Sequence, residues 1–219
     1  MVGSTAARAA LIVVASALIG FGAVYVTLGR PDNAPVTANA PSPPPASPTT
    51  ATPQPLPSGP GANPLSRGEM AAFVFAKAPE PLPEITFTDG DGNARSLKDW
   101  HGKVVLLNLW ATWCAPCVKE MPALDELQRE IGSDKFEVVA LSVDRAGADG
   151  SRKFFDRLGV KSLAIYADPT SRATSNLKAL GLPATLLIDA QGREVGRLTG
   201  PAEWASEDAK RLIAAVLGS

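Results

Sequence analysis

The pattern of hydrophobic and polar positions after Lys103 predicts a buried strand followed by an amphipathic helix. Residues Val104 to Trp110 form a nearly unbroken apolar run, which suits a strand buried on both faces. Beyond this run, apolar residues return every three or four positions, at Val118, Met121, Leu124, Leu127 and Ile131. That spacing places them on one face of a helix. Cys114 and Cys117 therefore lie where the strand passes into the helix N-terminus.

Similar patterns predict alternating strands and helices over the C-terminal part of the chain. Strand patterns lie at Ile85–Thr88, Phe136–Val143, Leu163–Tyr166, a segment opened by Pro183, and Arg193–Leu198. Helix patterns lie at Arg67–Phe75, where Met70, Phe73 and Val74 are expected to dock, and at Asp149–Leu158, Ser171–Leu180 and Trp204–Leu217. Strand-helix-strand crossovers are right-handed, so the strand at Phe136 is predicted to be parallel to the first buried strand. An α/β fold follows.

An uncharged N-terminal stretch predicts a membrane anchor. Residues 9–28 contain no charged side chain and lie between Arg8 and Arg30. About 20 helical residues cross a hydrocarbon core, whereas the apolar part of a cleavable secretory signal is about 7 to 15 residues long. The length favours an uncleaved anchor over a cleaved signal. The positive charge before the stretch favours a cytoplasmic tail, residues 1–8, and an extracytoplasmic C-terminal part.

Residues 29–64 are predicted to form a disordered linker. Twelve of the chain's 20 prolines lie between Pro31 and Pro64, mixed with Ala, Thr and Ser. This composition favours polyproline II and builds no hydrophobic core. At about 3.1 Å per residue, a fully extended linker would span roughly 100 Å. We expect one folded domain after it, residues 65–219.

Composition excludes several kinds of function. The formal net charge is −1 and no basic cluster is visible, so nucleic-acid binding is not predicted. Cys114 and Cys117 are the only cysteines, and His101 is the only histidine. A zinc site of the usual kind needs four ligands, so no metal site is predicted. No other cofactor is predicted either. A purely structural disulfide here would close a very short loop and add little stability, which favours redox chemistry.

The two cysteines have the positions of a reactive pair. Unpaired backbone N–H groups and the helix dipole stabilise a thiolate at Cys114. Cys117 lies one helical turn further and is predicted to be deeper, so Cys114 is expected to attack and Cys117 to resolve the mixed disulfide. Pro116 fits the first helical turn, where its missing N–H would have no partner. Trp110 and Trp113 are predicted to form apolar walls around the exposed sulfur.

The residues around the cysteines resemble the thioredoxin superfamily. The segment Trp110–Cys117 reads WATWCAPC and is followed by the residues KEMP at 119–122. This motif is similar to that of the membrane-anchored, extracytoplasmic TlpA/ResA/CcmG-like thiol:disulfide interchange proteins, with the TlpA group nearest. The resemblance covers about the last 155 residues, from Leu65. It implies a thioredoxin-like fold with an N-terminal β-hairpin and a central helix-strand insert at Asp144–Asp168.

The resemblance also implies a substrate-binding surface. In thioredoxin-like proteins a cis-proline lies against the CxxC motif, and the backbone beside it pairs with the substrate chain. Pro183, preceded by Leu182, matches that position. Trp113 and Pro116 complete the implied surface.

Glu120 is the predicted proton acceptor for Cys117. Plain thioredoxin has a buried aspartate at the position of Asn108, and asparagine cannot titrate. An acceptor is still needed, because release of the substrate requires the inner thiol to become a thiolate. Glu120 lies one helical turn after Cys117, at the border of the apolar stripe, and ResA-like proteins have a functional glutamate at the matching position. The alternative is an ordinary solvated helix glutamate.

These features predict a protein-disulfide reductase tethered to the bacterial inner membrane and facing the periplasm. Ala115-Pro116 offers no histidine to stabilise a Cys114 thiolate, which favours a reductant over an oxidant. The resemblance implies substrates in cytochrome oxidase copper-site assembly, namely a copper chaperone or an oxidase subunit, or instead apocytochrome c. It also implies a transmembrane electron donor of the DsbD or CcdA type. The alternatives are a thiol oxidase or isomerase, and a copper-binding assembly chaperone, which would need a third ligand that only His101 could supply.

Overall fold

A mixed eight-stranded sheet forms the framework of residues 63–218, the part of the chain that the computed structural model describes. Its strands are β1 (Val74–Pro81), β2 (Thr86–Asp89), β3 (Ala94–Ser96), β4 (Val104–Trp110), β5 (Phe136–Ser142), β6 (Tyr166–Ala167), β7 (Ala184–Ile188) and β8 (Arg193–Thr199). They lie in the order β1-β8-β7-β4-β5-β6-β2-β3. The sheet's centre is therefore β4, between β7 and β5.

Helices lie between several of these strands, whereas β2–β3 and β7–β8 are joined by turns. The α-helices of the described part are α1 (Ala115–Ile131), α2 (Gly147–Leu158), α3 (Arg172–Asn176) and α4 (Glu207–Leu217), and short 3₁₀ helices lie at Gly68–Met70 and Leu97–Trp100. The predicted α/β alternation is confirmed. So is the helix-strand insert, which consists of α2 and β6, and the hairpin of β2 and β3 near the N-terminus of the domain.

The predicted buried strand and its parallel neighbour are confirmed. All seven residues of β4 are buried, as expected for a strand covered on both faces. β5 pairs with it in parallel, and β7 pairs with it in antiparallel. Parallel β4 and β5 end at the same edge of the sheet, and the segment that contains Cys114 begins at that edge.

Helix α1 buries one face, and that face includes a carboxyl group. Its buried residues are Cys117, Glu120, Met121, Leu124 and Leu127. The predicted stripe named Val118 and Ile131, which are only half-buried. Glu120 therefore lies within the buried face rather than at its border, one turn after Cys117.

The structure differs from the sequence predictions at the N-terminal end of the domain. In place of the helix predicted at Arg67–Phe75 there is a single 3₁₀ turn, Gly68–Met70. Met70 in this turn and Phe73 after it are buried, whereas Val74 is exposed and begins β1. β1 was not predicted because it contains two prolines. It is an edge strand that pairs only with β8. Proline is tolerated in such a strand because its missing N–H can face away from the sheet.

Two predicted helices are shorter than expected. The pattern at Ser171–Leu180 yields only α3, and Lys178 beyond it has a left-handed backbone conformation that is incompatible with continuing the helix. The final helix begins at Glu207 rather than Trp204, because the side chain of Ser206 accepts a hydrogen bond from Ala209 N and caps it.

The predicted cytoplasmic tail, anchor and linker, residues 1–8, 9–28 and 29–64, lie outside the described residues except for the last two positions of the linker. Among the helices of residues 63–218, none is both long and apolar enough to span a bilayer.

Candidate active site

Cys114 and Cys117 form a disulfide at the N-terminus of α1. Cys114 is the N-cap residue, and its Sγ accepts a hydrogen bond of 3.3 Å from the backbone N–H of Cys117. Cys114 is 6% exposed and Cys117 is fully buried, so the inner position predicted for Cys117 agrees with the structure. Pro116 occupies the second position of the helix, where no N–H is required.

The two tryptophans of the motif lie in different surroundings. Trp113, next to Cys114, is 71% exposed and presents its ring to solvent at the active-site edge. Trp110 is fully buried, and its ring stacks on Phe155 and packs against Phe154 of α2. Of the two tryptophans expected around the sulfur, only Trp113 is exposed beside Cys114, and Trp110 belongs to the buried core. The helix-strand insert supplies the aromatic partners that draw this ring into the core.

Pro183 lies at the same edge of the sheet as the cysteines. The Leu182–Pro183 peptide is cis, as the resemblance implies. Ala184 pairs with Leu109, so Pro183 is level with the last residue of β4. Its carbonyl accepts a 2.8 Å hydrogen bond from Gly200 N. Pro183 is buried and Leu182 is half-buried, so this loop forms part of the edge of the sheet at which the motif begins.

Glu120 is a buried acid with few hydrogen-bond donors. Only 4% of it is exposed. Its Oε1 accepts a 2.8 Å hydrogen bond from Asn108 Nδ2, and its Oε2 accepts a 3.2 Å hydrogen bond from Ala202 N. Cys117 precedes it by three residues on the buried face of α1, and side chains at this spacing are neighbours on a helix surface.

Burial raises the pKa of Glu120 from its ordinary 4.5 to about 7, because an apolar surrounding disfavours the charged form. Hydrogen bonds from Asn108 and Ala202 oppose this rise, and Glu203 increases it. The Trp204 indole also favours the charged form, although its N–H makes no hydrogen bond with the described residues. Glu120 thus holds a carboxyl that exchanges a proton near neutral pH.

A second buried carboxylate, which was not predicted, contacts the residues just before Cys114. Asp144, just after β5, accepts hydrogen bonds from the hydroxyl and the backbone N–H of Thr112, the latter at 3.2 Å. It also accepts one from Ala146 N at 3.3 Å. It fixes the segment that leads to Cys114. Sequence reasoning could have found it, because polar residues that follow adjacent parallel strands meet at one edge.

The described residues offer little for metal binding. Among residues 63–218, no group of three or more His, Cys, Asp or Glu side chains could hold a metal ion. His101 is exposed and precedes β4, whereas Cys114 follows it. The seven residues of β4 put the two ends of the strand about 20 Å apart. His101 therefore cannot complete a copper site with the cysteines of the same domain.

Comparisons with known proteins agree with this geometry. The Redoxin family model matches residues 77–213. The thiol-disulfide oxidoreductase ResA of Bacillus anthracis is 34% identical over 136 residues, which cover 62% of this chain and 78% of that protein. The thioredoxin-like protein YneN of Bacillus subtilis is 36% identical over 115 residues, which cover 52% of this chain and 66% of that protein.

Solved structures give the same result. The thiol:disulfide interchange protein DsbE from Chlorobium tepidum superposes with a TM-score of 0.57 at 26% identity, covering 64% of this chain and 97% of that one. The eight-stranded sheet is thus a thioredoxin-like fold, as predicted. Its cysteine pair acts on disulfide-containing substrate proteins. The chain belongs to the Redoxin family of the thioredoxin superfamily and is a protein thiol-disulfide oxidoreductase of the ResA/CcmG type.

Proposed function

We propose that this chain is a reductase, and that Glu120 is the base that activates Cys117 for the second half of each reaction. The observation that carries the proposal is the carboxyl of Glu120, buried on the same face of α1 as Cys117 and one turn from it, with a pKa of about 7. A general base is most effective when its pKa is near the working pH.

The direction of electron flow follows from what surrounds Cys114. Strong oxidants of this superfamily stabilise the reduced form, above all the thiolate of the outer cysteine. Here the residues between the cysteines, Ala115 and Pro116, offer no charge and no side-chain donor. One backbone N–H, that of Cys117, reaches the Cys114 sulfur. Modest thiolate stabilisation favours giving electrons to substrates.

The proposed cycle balances in two steps. The Cys114 thiolate attacks a substrate disulfide, forms a mixed disulfide, and releases one substrate sulfur as a thiolate. Cys117 then gives its proton to Glu120, and its sulfur bonds to Cys114 while the bond to the substrate breaks and the electron pair leaves on the second substrate sulfur. The substrate gains two electrons and the Cys114–Cys117 disulfide forms. A dithiol donor must then reduce that disulfide.

The place and partners of the cycle form part of the same proposal. The uncharged residues 9–28 and the proline-rich linker would tether the domain to the bacterial inner membrane, facing the periplasm. Electrons would come from a transmembrane dithiol protein of the DsbD or CcdA type. The proposed substrates are proteins of cytochrome oxidase copper-site assembly, with apocytochrome c as the alternative.

Substrate trapping tests the reaction and its partners together. Cys117→Ser of the full chain, expressed in the native host, should accumulate a mixed disulfide that thiol reductants dissolve, since Cys114 can attack but nothing resolves. Cys114→Ser is the matched control and should trap nothing. A trapped copper-binding protein supports the first substrate class, and a trapped apocytochrome c supports the alternative. No adduct with Cys117→Ser would contradict the reductase.

A protease test examines the tether. In spheroplasts, an added protease should degrade the domain at residues 65–219, because we place it outside the cytoplasmic membrane. A domain that stays intact until the cells are lysed would contradict the proposed location. The domain should also sediment with membranes.

A further inference from the structure

Asn108 lies at the centre of the sheet and bonds to α1. The register of β4 pairs it with Ala140 of β5 and Thr185 of β7. Directly opposed residues of antiparallel strands point to the same face, so Asn108 and Thr185 are side-chain neighbours. Asn108 is fully buried. A buried amide destabilises the fold unless hydrogen bonds compensate it, so its partners show what it is for.

Both amide hydrogens of Asn108 are used. Nδ2 donates one hydrogen bond of 2.8 Å to Glu120 Oε1 and another of 2.9 Å to Thr185 Oγ1. Oδ1 has no hydrogen-bond partner among the described residues. The orientation of the amide is therefore set by the two groups to which it donates. Thr185 holds the amide on one side, and the amide holds the carboxylate on the other.

We propose that Asn108 is a positioning residue for Glu120, and that Thr185 fixes Asn108 in the orientation that serves it. This inference rests on the proposed function, because it assigns Asn108 a role in the proton transfer from Cys117 to Glu120. Asn108 itself exchanges no proton. It directs one carboxylate oxygen and stabilises the negative charge that lets Glu120 accept the proton.

Neither leucine nor aspartate at position 108 could do the same. Leucine has the same branched shape but would leave Glu120 Oε1 without its donor, so the charged form would become less favourable. Aspartate would place a second negative charge beside the carboxylate, or bind the proton that Glu120 should accept. Asparagine is neutral, donates two hydrogen bonds and does not titrate.

Few charged groups face Glu120, so a substitution of Asn108 should produce a measurable change in the pH dependence of Glu120. From β4 and β7 the facing side chains are neutral, Asn108 and Thr185. The segment before α4 contributes the N–H of Ala202 and the negative charge of Glu203. On α1 itself the titratable neighbour is Cys117.

The experiment separates the two halves of the reaction by using Ellman's reagent, an aromatic disulfide. The reduced full chain, purified in mild detergent, releases one coloured thiolate when Cys114 attacks and a second when Cys117 resolves the adduct. Stopped-flow absorbance gives a rate for each phase, measured from pH 5.5 to 9. The second phase should accelerate as pH rises through the pKa of Glu120, because only the ionised carboxylate accepts a proton.

Asn108→Leu should move the midpoint of the second phase upward by roughly one pH unit, the change expected when a charged carboxylate loses one hydrogen bond. Thr185→Val should move it in the same direction by less, and Thr185→Ser, which keeps the acceptor oxygen, should restore it. The first phase should be unchanged in all three variants. Ser151→Ala is the matched control, because it deletes a buried hydroxyl of α2 that bonds to Gly147 O. It should change neither phase.

Two results would contradict the role of Asn108, and a third would contradict the proposed role of Glu120 as the base. A midpoint in Asn108→Leu equal to that of the wild type contradicts the role of Asn108, provided that Glu120→Gln slows the second phase. If Asn108→Leu does not fold, an unshifted midpoint in Thr185→Val contradicts it instead. If Glu120→Gln resolves as fast as the wild type, the proposed base is wrong, and the fault lies with the proposed function rather than with Asn108.

Discussion

Two buried carboxylates, Glu120 on α1 and Asp144 after β5, belong to the surroundings of the redox motif, and they differ in their hydrogen-bond donors. Asp144 accepts from the hydroxyl and the backbone N–H of Thr112 and from Ala146 N. Among residues 63–218, Glu120 accepts only from Asn108 and from Ala202 N. Both side chains are removed from water, Glu120 being 4% and Asp144 9% exposed.

The donors decide the charge of each group. Burial raises the pKa of both, but for Asp144 the hydrogen bonds from Thr112 and from backbone N–H groups outweigh burial, and its pKa is lower than usual. For Glu120 burial dominates, and the pKa is raised to about 7. A carboxylate with enough donors is a fixed anion that holds a loop. One with too few donors can exchange a proton at neutral pH, and this is the property that a base for Cys117 requires.

The largest expected effect concerns the rate of disulfide reduction. Glu120→Gln keeps the shape and the hydrogen-bond acceptor but cannot take a proton, so the resolving step should slow by about 10²-fold, as when a general base is lost. Turnover with insulin and with a small disulfide measures it. An unchanged rate with both substrates would remove Glu120 from the mechanism.

The free energy of unfolding should fall as pH rises through the pKa of Glu120, whereas carboxyl groups with a lowered pKa lose their contribution in acid. Its folded pKa of about 7 exceeds the unfolded value of about 4.5, so its neutral form favours folding below pH 4.5, and this contribution is lost as pH rises through 7. The loss is about 3 kcal/mol at pH 8. Urea unfolding should therefore show Glu120→Gln gaining stability over the wild type between pH 4.5 and 8. Parallel curves for the two proteins would show that Glu120 has an ordinary pKa.

Asp144→Asn should behave in the opposite way. The amide loses the charge that Thr112 and Ala146 stabilise, which should cost about 2 kcal/mol of unfolding free energy at pH 7. Because the folded pKa of Asp144 is lowered, its contribution exists above the unfolded pKa and disappears in acid, so the variant and the wild type should converge below pH 4. Disulfide reduction per folded molecule should change far less than with Glu120→Gln. A rate loss as large as that of Glu120→Gln, without a stability loss, would make Asp144 a second base.

The smallest effect on stability is expected at Trp113. Its ring is exposed, so Trp113→Ala should change the unfolding free energy by less than about 0.5 kcal/mol. It should raise KM for a protein substrate by about tenfold, since exposed aromatic residues are frequent anchors at interfaces, and leave the rate with a small disulfide unchanged. An equal loss with both substrates would mean that Trp113 acts on the cysteines rather than on the partner.

Local patterns predicted the elements that carry the chemistry. The apolar run of β4, the three- and four-residue spacing of α1 and the cysteines between them were visible in the sequence, and the structure has them at nearly the same bounds. The cis-proline could be placed because the motif resembles a known family. β1 was missed, because prolines such as Pro79 argue against a strand unless it is known to lie at an edge.

Contacts that depend on how the C-terminal strands and the insert pack on the first half of the domain could not be predicted. Asn108 and Thr185 are 77 positions apart, and they meet only because β7 inserts beside β4 in one register. Trp110 packs on Phe154 and Phe155, and neither partner could be assigned to it in advance, because both belong to the insert. A sequence shows that a residue is polar or aromatic, whereas its role depends on what the fold brings against it.

The most direct test of the account is the reduction potential of the Cys114–Cys117 pair in the full chain, measured by equilibration against a dithiol buffer at pH 7. A reductase whose outer thiolate is only modestly stabilised should have a potential below about −200 mV, on the side of thioredoxin at about −270 mV. A value near −120 mV, typical of a strong oxidant, would contradict it and reverse the direction of electron flow.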